Sequence, residues 1–454
     1  MSQDVTCEDP AETEQQEGSA VRKNIRLIAA LLTSATIVVP LVFSISTDET
    51  FVAPKLIILW LVLGAGVVLA TTARLRARIL GSWLLPDTLV VVYTLLLIFS
   101  FVFSVDWRQS LWGERFQRQG LLTSLLYVGF YFLARMAISE RRRLCLLVRG
   151  VASGATVAAA YGVLQKLGLD PIWSLPNVRT FSTIGQPNAL GAYLAGTTLL
   201  TAVIAVAVKD TRRRILWSTA AFVQALALVL TLSRGAYLAL VVGLAVVCIG
   251  LWRTPSVNRR RLAGLAVATS VGVAIIVAVL PPTRNVAEQA VSRTVASLDI
   301  DQPGSVRMHL DAWKVGWEIA SDHPLLGTGP DTYVLEFPAY RDSLLPMDQA
   351  AVFLPYRVES PHNVYLAVAT GSGLPALAVY LGFVVSVLWR IRLRDDSLLY
   401  FGITAAVVAH LVSDLFMTAE VTGSWLFWLL LGTATRLHQD GVEAPEAMFP
   451  DETR

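Results

Sequence analysis

Glu359-Ser360-Pro361-His362-Asn363 opens the stretch 362–388, an apolar run long enough to cross a membrane as helix. The run is continuously apolar, not alternating, so it reads as a membrane helix and not as a barrel strand. Working outward, similar runs lie at 25–45, 53–72, 86–104, 120–138, 144–164, 187–207, 214–232, 234–251, 262–281, 397–418 and 423–437. The expected fold class is therefore an all-α polytopic membrane protein with about twelve transmembrane helices. Composition agrees: of 454 residues, 54% are hydrophobic and only 16% charged, which is unlike a soluble domain.

Lys and Arg set the orientation. Arg22-Lys23, Arg74/Arg76/Arg78, Arg141 to Arg143, Arg212 to Arg214, Arg259 to Arg261 and Arg390/Arg392/Arg394 fall in every second connection. The positive-inside rule assigns them to the cytoplasm, together with both termini. The net charge of +3 comes largely from these clusters and gives no reason to expect nucleic-acid binding. Residues 1–24 read as a disordered cytoplasmic tail, 25–281 as the first nine spans, 282–361 as one large extracytoplasmic loop, 362–437 as the last three spans and 438–454 as a second cytoplasmic tail. The loop carries a helical stretch at 306–320 followed by Pro- and Gly-rich turns, and is too short and broken to bury a core alone. Cys7, Cys145 and Cys248 lie at or near the cytoplasmic side, so no disulfide is expected.

Three helices begin on the outer side with polar residues. One follows Arg179 to Gln186, with Pro187 at its first position and Asn188 beside it. Another begins at Ser233-Arg234-Gly235 after a very short turn. The third begins at Ser360-Pro361-His362, with Ser360 as N-cap, Pro361 at the first position and Asn363 close behind. Helix N-termini carry partial positive charge and free N–H groups, and with Arg179 and Arg234 they make an anion site suited to phosphate. Arg115 and Arg118, interleaved with Trp112 and Phe116, extend the same chemistry or form a snorkelling interfacial belt. His362 at a positive helix end should be neutral, the form a general base needs. The bland alternatives are a turn-solvating Arg234, a solvated Arg179 and a His362 bonded to a nearby carbonyl. His410 and Asp414, at i and i+4, can pair as a functional or an interhelix contact, whereas His309 and His323 read as solvated loop residues. Asp299-Ile300-Asp301 matches a D-x-D metal pattern only weakly; no metal and no cofactor are expected.

These motifs, in this order, resemble the O-antigen ligase family and the related O-antigen polymerases. The segments that carry the resemblance are Trp112-Gly113 with Arg115 to Gly120, Phe181 to Leu194, Ser233-Arg234-Gly235, Pro324 to Pro330 and Pro361-His362-Asn363-Val364-Tyr365-Leu366. The resemblance implies a twelve-helix fold of the membrane glycosyltransferase (GT-C) type, with the large loop capping the site. It implies inverting, metal-independent transfer of a glycan from undecaprenyl diphosphate to an acceptor hydroxyl, of lipid A-core type for a ligase, on the outer face of the bacterial inner membrane. In that frame His362 is the base, Arg234 binds diphosphate, and Arg179 with Arg115 or Arg118 lie where other family arginines do. Polymerase and protein O-oligosaccharyltransferase are the alternatives within this frame. A lipid or sugar transporter is the alternative outside it, disfavoured by the absence of an internal repeat.

Overall fold

A computed structural model describes residues 10–71, 83–173, 179–253, 305–355, 357–392 and 398–436. The expected span 262–281, the Asp299/Asp301 pair and the clusters at Arg74 to Arg78 and Arg259 to Arg261 lie outside them. The described residues are helical, with no strand among them: α1 (Pro10–Val38), α2 (Ala53–Ala70), α3 (Leu85–Val102), α4 (Trp107–Trp112), α5 (Leu121–Ala137), α6 (Arg141–Lys166), α7 (Pro187–Ala207), α8 (Thr211–Leu230), α9 (Arg234–Arg253), α10 (Ser305–Asp322), α11 (Tyr333–Leu344), α12 (Met347–Phe353), α13 (Val364–Arg392), α14 (Leu398–Ser413) and α15 (Val421–Arg436). Each expected run other than 262–281 coincides with a helix. Among the described residues, eight helices are long and apolar enough to cross a membrane, and α5 and α14 are apolar but shorter. The chain is a polytopic membrane protein.

α7 and α15 form the centre. α7 packs against α8, α9 and α14, and α15 against α5. Small residues permit this closeness: a Cβ on Gly191 of α7 would come within 2.8 Å of the Ala236 Cβ in α9. α1 begins at Pro10, so residues 10–24 are helix where a disordered tail is expected. Their Ala, Glu and Gln are good helix formers, and they extend a helix that the apolar part has already nucleated.

α13 is not one continuous span. It breaks at Gly373 (φ 84°, ψ 166°), two residues before Pro375. Pro375 has no N–H to give to the Gly371 carbonyl, and that oxygen accepts instead from Gly329 N (2.9 Å) and the Ser100 hydroxyl (2.6 Å). Likewise the Thr370 carbonyl accepts from Thr328 N (2.9 Å), while Leu374 N turns to the Pro324 carbonyl (2.8 Å). Ser100 belongs to the last turn of α3, so the break lies at one end of the bundle. Val364, at the start of α13, is bonded through its N–H to the Asp414 carbonyl at the same end of α14 (2.8 Å). Residues 364–372 therefore lie along that end, and 374–392 form the crossing part.

The loop before α13 builds a small core of its own from Val315, Ile319, Tyr333, Phe337, Leu345, Ala350 and Phe353. This corrects the expectation that it is too short and too Pro-broken for one. Pro338 lies inside α11 without ending it. α10 also packs on α13, at Gly316, where a Cβ would meet Leu366 Cδ2 at 2.8 Å.

A buried ion pair ties α3 to α5. Arg135 Nε lies 2.7 Å from Asp87 Oδ1, the two side chains being 2% and 0% exposed. Asp87 also accepts from the Tyr131 hydroxyl (2.9 Å) and Leu84 N (2.8 Å). Removing either partner strands a buried charge, so Asp87→Asn and Arg135→Met are each expected to cost roughly 3–5 kcal/mol. Thermal unfolding in detergent checks this; a midpoint unchanged in both variants is the contrary result.

Candidate functional site

The turn between α8 and α9 is held by its own groups. Ser233 N donates to the Thr231 hydroxyl (3.3 Å) and Leu232 adopts a left-handed φ of 52°. Gly191 leaves room for this turn against α7, because its absent Cβ would stand 3.0 Å from the Ser233 Cβ. The turn delivers Arg234 to the first turn of α9. Arg179 reaches the same place from the loop before α7, donating from Nε to the Thr231 carbonyl (2.7 Å) and from Nη2 to Asn188 Oδ1 (2.6 Å). That loop is pinned from behind. Gln165 Oε1 accepts from Phe181 N (3.1 Å) and Ser182 N (3.0 Å), and Lys55 Nζ, 0% exposed, donates to the Thr183 carbonyl (2.8 Å). Pro187 stands in the first turn of α7, as expected.

Arg179, Asn188, Ser233, Arg234, His309 and Trp313 line one open cleft of about 1310 Å³. Two guanidiniums and residues from the N-terminal turns of α7 and α9 line it, an arrangement whose chemistry suits an anion. Ser413 Oγ and Trp313 Nε1, which also line it, are buried without a hydrogen-bond partner among the described residues.

His362 borders this cleft through His309, the two rings lying 5.2 Å apart. It has a left-handed φ of 52°, a strained conformation for a side-chain-bearing residue. Its N–H donates to Ser360 Oγ (3.1 Å), and its Nδ1 lies 3.2 Å from the Thr418 hydroxyl. Ser360 and Thr418 are themselves hydrogen-bonded. With Nδ1 occupied by Thr418, Nε2 is the ring nitrogen left for another partner. Burial pushes the imidazole down to about 4, the neighbouring His309 adding to the effect.

Helix α13 starts later than expected. Pro361 is not its first residue and Ser360 is not its cap, because the left-handed His362 breaks the path. Asn363 caps it, Oδ1 accepting from Leu366 N (3.0 Å).

The other expected residues lie elsewhere. Arg115 pairs with Asp48, and Arg118 grips Glu49 through Nε (3.0 Å) and Nη2; neither lines the cleft with Arg179 and Arg234. Around them the segment 113–120 folds on Asp331, whose Oδ2 accepts from Glu114 N (2.6 Å) and Gln119 N (3.2 Å). Burial, with Glu114 and Glu359 nearby, raises the Asp331 carboxyl to about 7 against the pull of these N–H groups. His410 Nε2 and Asp414 Oδ1 pair at 3.5 Å, but they line a second cavity, not the Arg cleft. His309, expected to be solvated, is half-buried at His362. Its one sequence signal is the i, i+4 spacing to Trp313 on α10, a pattern that also occurs on ordinary packed helices. Among the described residues no group of His, Cys, Asp or Glu has metal-site geometry.

Residues 219–381 match the family model described as O-antigen ligase. The match takes in Arg234, His309 and His362, and it bears out over these residues the resemblance read from the short motifs. Arg179, His410 and Asp414 lie outside it. No curated protein matches the chain.

Proposed function

We propose that this chain, which carries an O-antigen ligase segment at 219–381, transfers a glycan from undecaprenyl diphosphate to an acceptor hydroxyl on the outer face of the inner membrane. One observation carries the reading: a cleft lined by Arg179 and Arg234 is also lined by His309, whose ring lies 5.2 Å from that of His362. Such a transfer needs a base for the attacking hydroxyl and a cationic seat for the leaving diphosphate. The acceptor oxygen attacks the anomeric carbon and its proton passes to His362. The bond from that carbon to the diphosphate oxygen breaks, and the departing diphosphate keeps the electron pair against Arg179 and Arg234. The attack is from the face opposite the leaving group, so the anomeric centre inverts. A twelve-span, GT-C-like arrangement with cytoplasmic termini belongs to the same proposal, supported by the alternation of basic clusters. Ligase action on a lipid A-core type sugar is the preferred reading, with polymerase or protein-glycosylating action as its alternatives; the family match is compatible with a ligase or a polymerase.

The test is glycan transfer by purified protein in detergent, with a lipid-diphosphate-linked glycan and a panel of acceptors that includes a second lipid-linked repeat and a Ser/Thr peptide. The productive acceptor decides between ligase, polymerase and protein-glycosylating action. Absence of product with every acceptor shifts the weight to a transporter. Cysteine labelling of position 362 from the cytoplasmic side, if observed, points the same way.

The pH profile provides a second check. A base whose pKa is lowered to about 4 is protonated only below that value, so it remains competent as pH falls through the usual histidine range. The value of kcat/KM for the lipid-linked donor, at saturating acceptor, is expected to stay flat from about pH 8 down to about pH 5.5. An acid limb centred near about pH 6.5, where an unperturbed imidazole titrates, is the result that removes buried His362 as the base.

A further inference from the structure

His362 adjoins a second space. Through the Thr418 and Ser360 hydroxyls it is linked to a small cavity of about 110 Å³, of which Ser360 is a wall. Its chemistry is opposite to that of the cleft. Asp331, Glu359 and Asp414 line it, and no Lys or Arg does among the described residues. Phe427, stacked on His410, and Trp428, stacked on Phe383, also line it. The two spaces meet at adjacent residues: Ser413 lines the cationic cleft, Asp414 the acidic cavity.

Two polar side chains here have few partners among the described residues. Asp414 is 3% exposed, yet its side chain makes one polar contact, to His410 Nε2 at 3.5 Å, which is long for a charge-assisted hydrogen bond. Ser372, 2% exposed, lines the same space with no side-chain hydrogen bond among the described residues. Polar groups set this way around an open space are completed by water or by a ligand. Among the described residues the carboxylates form no group of metal-holding geometry.

We propose that this cavity is the acceptor pocket, and that it takes a neutral pyranose, with no phosphate or carboxylate beside the reacting hydroxyl. The inference rests on the glycan-transfer reading above. Sugar hydroxyls both donate and accept, which matches the carboxyl and Ser groups that line the cavity. A phosphorylated sugar would place its charge among carboxyls with no cation to compensate. The two substrates are thus sorted by charge, the donor diphosphate to the Arg cleft and the acceptor to the acidic cavity, with His362 between them.

The experiment has two arms. In the first, a methyl pyranoside carrying a diazirine on its aglycone is photo-crosslinked to the detergent-purified protein and the labelled peptides are mapped by mass spectrometry. Label is expected at 331–333, 359–360 and 414–428. It should be competed by plain methyl glycosides but not by glucose 6-phosphate, and be weakened in Asp414→Asn and Trp428→Phe. In the second, the same variants are expected to raise the acceptor KM about 10-fold or more while leaving the donor KM within about twofold. His362-dependent transfer with the acceptor KM unchanged in both variants overturns the pocket while the transfer reading stands. Specific label at these peptides without transfer to any acceptor keeps the pocket and overturns the transfer reading. Label around Arg179 and Arg234, or none that glycosides compete, overturns the pocket.

Discussion

His362→Ala should lower glycan transfer roughly 100- to 10,000-fold, the usual worth of a positioned general base, while donor affinity stays within about twofold of wild type. The expectation follows from how the residue is held. The imidazole is kept neutral by burial, its Nδ1 is engaged by Thr418 and its backbone is fixed by Ser360, so Nε2 is the nitrogen left to take a proton. Product formation separates this from a donor-binding role when it is measured beside the binding of the lipid-linked donor. If the variant retains full activity, the base is another group. The structure then points to His309, whose ring is 5.2 Å away, in preference to His410, which lines the other cavity.

Arg234→Lys should reduce kcat/KM about 10- to 100-fold, although the charge is retained. The turn at 231–233 and the close approach at Gly191 hold the start of α9 at the cleft, and a planar guanidinium there can meet two phosphate oxygens at once. Lysine offers a point charge on a different stem. Arg118→Lys is the comparison: its fork is already committed to Glu49, and transfer should fall no more than about threefold. Full activity of Arg234→Lys removes the argument for a bidentate diphosphate clamp at that position.

Much of the fold is legible along the chain because the bilayer imposes it. Continuous apolar runs punctuated by Arg clusters admit few arrangements, and helices stand at the expected positions throughout the described residues. The break in α13 was also written there, in Gly371-Ser372-Gly373-Leu374-Pro375, but hydropathy averages over such a motif. The Arg side of the site was readable because Arg179 and Arg234 are polar exceptions at helix starts. What escaped reading depends on contacts between distant segments. His309 gains its place only when α10 lies on α13 at Gly316. Lys55 becomes a support for the loop before α7 through a bond spanning most of the first half of the chain. Asp331 and Glu359 look like ordinary loop carboxylates, and Asp414 like the partner of His410 alone, until three separate segments enclose one space.

The backbone rungs from Thr328 and Gly329 to Thr370 and Gly371 have a practical consequence for engineering. They fasten the loop before α13 to the broken helix itself, through main-chain groups that no side-chain substitution removes. A graft that exchanges this lid between related proteins must therefore carry the hinge with it. Its second junction belongs after Pro375, since a cut at His362 would pair one lid with another protein's broken helix and leave carbonyls inside the membrane boundary without donors.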